Sequence, residues 1–130
     1  MMNLKIVTPK KLVLETKCLH ITIPSEIGEI QIHKGHTPLL AKLTYGILTF
    51  ESKKNYTKKI AIEEGFVSID EKNIIILTEN ATTQNEVNIQ KEKKIIQQLK
   101  IQLINIKSEK ESEKIQLKIN ISAIKCQLAK

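Results

Sequence analysis

The sequence predicts an α+β chain in two segments, an N-terminal all-β sandwich or barrel followed by a C-terminal antiparallel two-helix hairpin. Three observations predict it. Short apolar runs between residues 3 and 84 alternate with polar residues, the period of strands that bury one face. Turn-forming residues separate these runs. Beyond residue 85, Gly, Pro and aromatic residues disappear, and Lys, Glu, Gln, Ile and Leu follow a helical period. The expected domains are 1–84 (β sandwich) and 85–130 (helical hairpin).

The expected strands follow in order. Leu4 and Ile6 mark a first run that stops at Pro9, and Leu12-Val13-Leu14 form a second. Leu19, Ile21 and Ile23 alternate with His20 and Thr22 up to Pro24, and Ile30 and Ile32 alternate within 29–33. Further runs cover 47–51, 58–62, 66–69 and 74–78. Gly46, Lys53-Lys54-Asn55, Glu64-Gly65 and Asp70-Glu71-Lys72-Asn73 supply the turns. Many short strands with frequent turns point to a sandwich or barrel.

In 88–106, Ile95, Ile96, Leu99, Leu103 and Ile106 share one helical face. Residues 107–112 hold no apolar side chain and read as a turn. In 113–129, Leu117, Ile121, Ile124 and Leu128 form a narrow stripe. Ile115, Leu117, Ile119 and Ile121 also alternate as a strand would, but the Lys, Gln, Leu, Ala and Glu content favours helix. Two helices joined by a short polar turn make a hairpin.

Composition sets further bounds. All 21 basic residues are lysine, and the net charge is +7. Lysine, isoleucine and asparagine have AT-rich codons, so an AT-biased genome accounts for much of this usage and counts alone carry no function. Residues 1–84 hold eleven lysines and nine acids, and residues 85–130 hold ten lysines and five acids, so the basic character sits in the tail. No apolar run approaches the roughly 20 residues of a membrane helix. The N-terminus leads directly into a strand pattern, not a signal-peptide core, so a cytosolic location without direct membrane insertion is expected. Cys18 and Cys126 lack metal-ligand spacing and read as reduced structural residues.

Motifs for chemistry are few. Ser25 with His33 or His36 makes a nucleophile and base only on paper, because no nucleophile elbow surrounds Ser25. Neither a dinucleotide fingerprint nor a P-loop is present. Asp70 is the sole aspartate, which leaves little for a divalent-metal site. His33 and His36 without a third ligand are better read as turn and interface residues than as metal ligands. No catalytic residue, cofactor or metal is expected.

The most specific stretch is Gly28-Glu29-Ile30-Gln31-Ile32-His33-Lys34-Gly35-His36-Thr37-Pro38-Leu39-Leu40. It resembles the signature loop of the epsilon subunit of the F-type rotary ATP synthase, roughly Gly-Glu-x-Gly-[Val/Ile]-x-Pro-Gly-His-x-Pro-Leu-Leu. Gly28, Glu29, Gly35, His36, Pro38, Leu39 and Leu40 match. Gln31 replaces a glycine and Lys34 a proline. The rest of the chain, including the Glu64-Gly65-Phe66-Val67 corner and the hairpin, agrees with that architecture.

The resemblance implies a non-catalytic central-stalk subunit, peripheral on the cytoplasmic side of the plasma membrane. It would couple ion-driven rotation of the c-ring to the catalytic head through the γ subunit. The loop would face the c-ring and γ, which makes Glu29, Ile30, Gln31, His33 and His36 the expected contacts. In the family the last helix can reach an acidic segment of the catalytic β subunits and block rotation. Lys114, Lys118 and Lys125, within an arc of roughly 40° on a helix, are the expected contacts there. The family's nucleotide-binding helix start is replaced at Asn88, Lys91 and Glu92, and lysine does not reproduce a bidentate arginine, so ATP sensing is not expected.

A second reading is a basic nucleic-acid-binding β barrel with a helical tail, supported by the net charge. Against it stand only four aromatic residues (Tyr45, Phe50, Tyr56 and Phe66) and the absence of arginine, the preferred reader of guanine.

Overall fold

The computed structural model describes residues 1–35, 37–52, 56–106 and 108–129. The turn expected at Lys53-Lys54-Asn55 lies outside them. Ten strands come first: β1 (Met2–Val7), β2 (Leu12–Cys18), β3 (His20–Ser25), β4 (Gly28–His33), β5 (Leu39–Leu43), β6 (Gly46–Glu51), β7 (Thr57–Ile62), β8 (Gly65–Ile69), β9 (Asn73–Thr78) and β10 (Ala81–Thr83). A 3₁₀ turn (Gln84–Glu86) and two helices, α1 (Ile89–Asn105) and α2 (Glu109–Ala129), complete the chain. Two compact units result, Met1–Thr83 and Gln84–Lys130.

Alternation built the strands as expected. β1 buries Met2, Leu4 and Ile6 while Asn3 and Lys5 face water, and β9 buries Ile74, Ile76 and Thr78. The strands form a nearly closed sandwich in the order β10-β7-β6-β3-β5-β8-β9-β1-β2, with β4 paired to β3. β3 joins the two halves: His20–Thr22 pair with β6, whereas Ser25 pairs with Leu43 of β5. β1 and β9 run parallel, and every other pair is antiparallel. The core gathers Leu4, Ile6, Ile21, Ile23, Ile32, Leu48, Phe50, Ile74 and Ile76, all essentially inaccessible. Burial pushes the Cys18 thiol up, which fits an unreactive packing residue.

The structure departs from the expected elements in three places. β3 runs through Pro24 to Ser25, because a proline is tolerated where a strand nears its end. β5 and β10 were not expected as strands; β5 follows Pro38 without clear alternation, and β10 has three residues. α2 starts at Glu109, so part of the expected turn is helical. Ser108 and Glu111 have the spacing of a capping box, and Glu109 and Glu111 place negative charge in the first turn.

Two features of the glycines matter. Gly28 and Gly35 sit at φ +116° and +86°, a region that side chains disfavour. At Gly65 the constraint is close packing: a Cβ there would lie 1.9 Å from the carbonyl oxygen of Leu77.

In the helical unit, the Asn88 side chain caps α1 by accepting from the Lys91 N–H at 3.2 Å. α1 packs along α2 and has no fully buried residue. α2 buries Ile115, Ile119, Ser122 and Leu128, with Leu117, Ile121 and Ile124 half-buried. The single stripe expected from the sequence is therefore one of two. Residues two apart on a helix point about 200° apart, so the alternating run 115–121 places apolar groups on opposite sides of α2. The Gln84 side chain donates to the Leu128 carbonyl at 3.0 Å and ties the end of α2 to the 3₁₀ turn.

Candidate functional site

β3 and β4 form a hairpin whose tip holds Glu26 and the almost fully exposed Ile27. The Ser25 hydroxyl donates to the Gly28 carbonyl at 2.5 Å and closes the tip. Lys42 of β5 pairs with Glu26 at 3.2 Å. Along β4, Glu29, Gln31 and His33 are exposed and lie in one row. Ile30, expected as a contact residue, does not join them. Strand alternation turns it inward, where it packs half-buried against the core. His33 faces His20 across the β3–β4 ladder with ring centroids 5.5 Å apart. His20 Nε2 lies 2.5 Å from Glu51 Oε2 on β6, forming a row of three polar side chains across three strands. Gly35 supplies the turn after β4, and His36 lies outside the described residues.

The opposite sheet carries a feature that sequence reasoning missed. Outward positions of β5, β8, β9 and β1 line up through the register Lys42↔Phe66, Leu40↔Ser68, Phe66↔Leu77, Ser68↔Ile75 and Leu77↔Val7. Leu40 is 72% exposed, and Phe66 and Leu77 are each 52% exposed. Val7, Pro9, Phe66 and Leu77 also line a shallow cleft of about 420 Å³. Phe66, Leu77 and Val7 thus form one apolar row beside Lys42, and Leu40 and Ile75 stand in the next row on either side of Ser68. Exposed apolar side chains grouped in this way make the face a candidate interaction surface. One signal in the sequence pointed to it: Ile74-Ile75-Ile76-Leu77 does not alternate, so a strand with one face in the core must show apolar groups on the other.

In the helical unit, Lys114 and Lys118 are exposed on α2 and Lys125 is half-buried, so the three do not form one fully solvated ridge. The residues at the replaced nucleotide-binding positions serve the helix start, as the Asn88 cap shows. Among the described residues, no group of three or more His, Cys, Asp or Glu side chains could hold a metal ion. Nor is any described helix long and apolar enough to cross a membrane. Of the four aromatic side chains, Phe50 is buried and Tyr45 half-buried. Tyr56 and Phe66 are exposed, but one lies just before β7 and the other on β8, strands that do not pair, so they form no shared stacking row for a nucleic acid.

Comparison with known proteins decides the family. Residues 1–84 match the profile described as "ATP synthase, Delta/Epsilon chain, beta-sandwich domain". The chain belongs to the epsilon-subunit family of the ATP synthase. An ATP synthase epsilon chain of Prochlorococcus marinus (strain AS9601) is 29% identical over 121 residues, covering 92% of this chain and 90% of the relative. That of Sulfurimonas denitrificans is 31% identical over 80 residues, 62% of each chain. In fold, the chain resembles one from the mitochondrial ATP synthase of Euglena gracilis, with a TM-score of 0.82 at 20% identity over 94% of this chain and 77% of that one. A chain from the central stalk and c-ring structure of the Tetrahymena thermophila enzyme gives 0.55 at 20% identity, over 65% of this chain and 68% of that one. Membership in this family makes the chain part of the ATP synthase complex.

Proposed function

We propose that this epsilon-family chain is a non-catalytic coupling subunit of the central stalk, on the cytoplasmic side of the membrane. The β sandwich grips the γ subunit and bears on the c-ring, so that ion-driven rotation of the ring turns γ without slippage. The observation that carries this reading is the exposed apolar surface of Leu40, Phe66 and Leu77. Such a surface is poorly satisfied in water and well suited to a permanent protein partner. The polar row Glu29, Gln31 and His33, with His36 beyond it, serves the c-ring side of the contact, and Ile30 holds that row in place from within.

The hairpin has the inhibitory role. α2 carries apolar groups on two sides, so it has more apolar surface than α1 alone covers. Such a helix suits exchange between two packings. In the extended packing, Lys114, Lys118 and Lys125 meet carboxylates of the catalytic β subunits and resist hydrolysis-driven rotation.

Two measurements test this. The purified chain, mixed with γ or with a catalytic head stripped of its epsilon subunit, forms a stable complex on size-exclusion chromatography. Failure to bind either sinks the coupling role. Truncation after Glu86 keeps assembly and raises ATPase activity. Unchanged hydrolysis removes the inhibitory role and leaves coupling standing.

A further inference from the structure

One end of the sandwich holds an open cleft of about 690 Å³, lined by Met1, Asn3, Thr16, Lys17, Ser52, Tyr56 and Lys72. Its size falls within the range of roughly 300–1,000 Å³ typical of small-molecule sites. The strand register brings its walls together: Asn3 of β1 pairs with Lys17 of β2 on one side and with Asn73 of β9, next to Lys72, on the other. The lining is chemically one-sided. It holds two lysines and no carboxylate. The ion pairs among the described residues are His20–Glu51 and Lys42–Glu26, so neither Lys17 nor Lys72 is neutralised.

The acids beside Lys72 in sequence are Asp70 and Glu71. The Asp70 carboxylate accepts the N–H groups of Lys72 at 3.0 Å and Asn73 at 2.8 Å, which holds the β8–β9 turn. Glu71 lines a neighbouring cleft together with Lys34 and Lys72. Tyr56 is 62% exposed and gives the cleft a flat aromatic wall. Thr16 and Ser52 add hydroxyl groups, and Asn3 adds an amide. Two ammonium groups suit a phosphate, an aromatic ring suits a planar base, and the volume suits one nucleoside-sized molecule.

We propose that this cleft binds a small phosphate ester that carries a flat ring, the size class of a nucleoside monophosphate. Lys17 and Lys72 hold the phosphate, and the Tyr56 ring packs against the planar group. Lys72 also lines the neighbouring cleft with Lys34 and Pro38 of the loop after β4, so the site adjoins the end assigned to the c-ring.

The test is an NMR titration of the isotope-labelled full chain with AMP, ribose 5-phosphate and inorganic phosphate, in low and physiological salt. AMP is expected to shift the amides of Asn3, Lys17, Tyr56 and Lys72 in a saturable way. The double variant K17Q/K72Q, with its spectrum otherwise preserved, should bind AMP about tenfold more weakly or worse. Tyr56→Leu should weaken AMP several-fold and leave ribose 5-phosphate unchanged, which separates ring packing from charge. The proposal is overturned if AMP shifts fall mainly on the lysines of α1 and α2. It is also overturned if K17Q/K72Q binds like the parent, or if no shift saturates at millimolar ligand. Complex formation with γ is read separately, so neither result depends on the other.

Discussion

The two outer faces of the sandwich are built on the same core yet present opposite chemistry. On β4, β3, β6 and β7 the outward positions hold Gln31, Thr22, Thr49 and Lys59 in one row and His33, His20, Glu51 and Thr57 in the next. On β5, β8, β9 and β1 they hold Lys42, Phe66, Leu77 and Val7 in one row and Leu40, Ser68, Ile75 and Lys5 in the next. The inward residues of both sheets are equally apolar and equally buried. Folding requires only the inward set. The polar face is what an antiparallel sheet shows to water, whereas the apolar face needs a partner. The contrast thus assigns each face its environment without reference to any loop.

The largest effect should come from breaking the sheet behind the apolar face. Gly65→Ala would drive a Cβ into the Leu77 carbonyl, so β8 and β9 must separate. A loss of about 3 kcal/mol or more is expected in urea denaturation. The polar-face counterpart is Gly46→Ala, whose Cβ would approach the Pro24 side chain at 2.9 Å. It meets the rigid Pro24 ring and not a backbone carbonyl at closer range, and should cost about 1–3 kcal/mol, less than Gly65→Ala. Equal losses would remove the distinction between the two seams.

A sharper comparison leaves the fold intact. Leu77→Asp puts a carboxylate at the centre of the apolar face and should change stability by less than about 1 kcal/mol. It should nonetheless weaken the complex with γ roughly thirtyfold or more, the scale of a central interface residue. Thr49→Asp on the polar face should leave that complex unchanged. If both variants bind γ alike by calorimetry, the apolar face is not the docking surface.

Smaller effects concern the polar face and its end. Glu51→Gln removes the half-exposed pairing with His20 and should cost at most about 1 kcal/mol, less at high salt. Asp70 gives the smallest effect. Backbone hydrogen bonds from Lys72 and Asn73 hold its carboxyl below the usual carboxylate range. A depressed folded-state value means that its contribution is present above the ordinary aspartate pKa near ~3.9 and is lost as pH falls through the folded value. Asp70→Asn should therefore slightly lower the neutral plateau of a stability–pH curve and flatten its acid limb below about pH 4, so that the two curves converge at the acid end.

Much of this was legible in the sequence for a definite reason. Alternation reports which side of a strand meets its own core, so Leu4, Ile6, Ile21 and Ile23 could be assigned from their spacing, whereas the unbroken run Ile74-Ile75-Ile76-Leu77 could not. The same rule puts Glu29, Gln31 and His33 on one exposed row and Ile30 on the inward side, whereas the five expected contacts rest on the family resemblance. The apolar face was legible only at Ile75 and Leu77, in the run that does not alternate, because its full extent depends on strand order. Leu40, Phe66, Leu77 and Val7 become neighbours only when β5, β8, β9 and β1 lie side by side, and no local pattern states that order. α2 hid its second stripe for a related reason. A run of Ile and Leu two apart fits a strand on one face and a helix on two, and only the helical outcome shows that both sides need cover.

The parallel pairing of β1 with β9 also bears on how the chain is made. As a nascent chain leaves the ribosome, β2 follows β1 at once, but the strand that closes the other flank of β1 arrives only with Asn73–Thr78. A pairing so distant in sequence is slow to form. Translation must therefore deliver the whole sandwich before its first strand is secured, whereas α1 and α2 emerge later and need only each other to begin. A pause in synthesis before residue 73 would leave a sticky, half-closed sheet exposed to aggregation, and one after residue 83 would not.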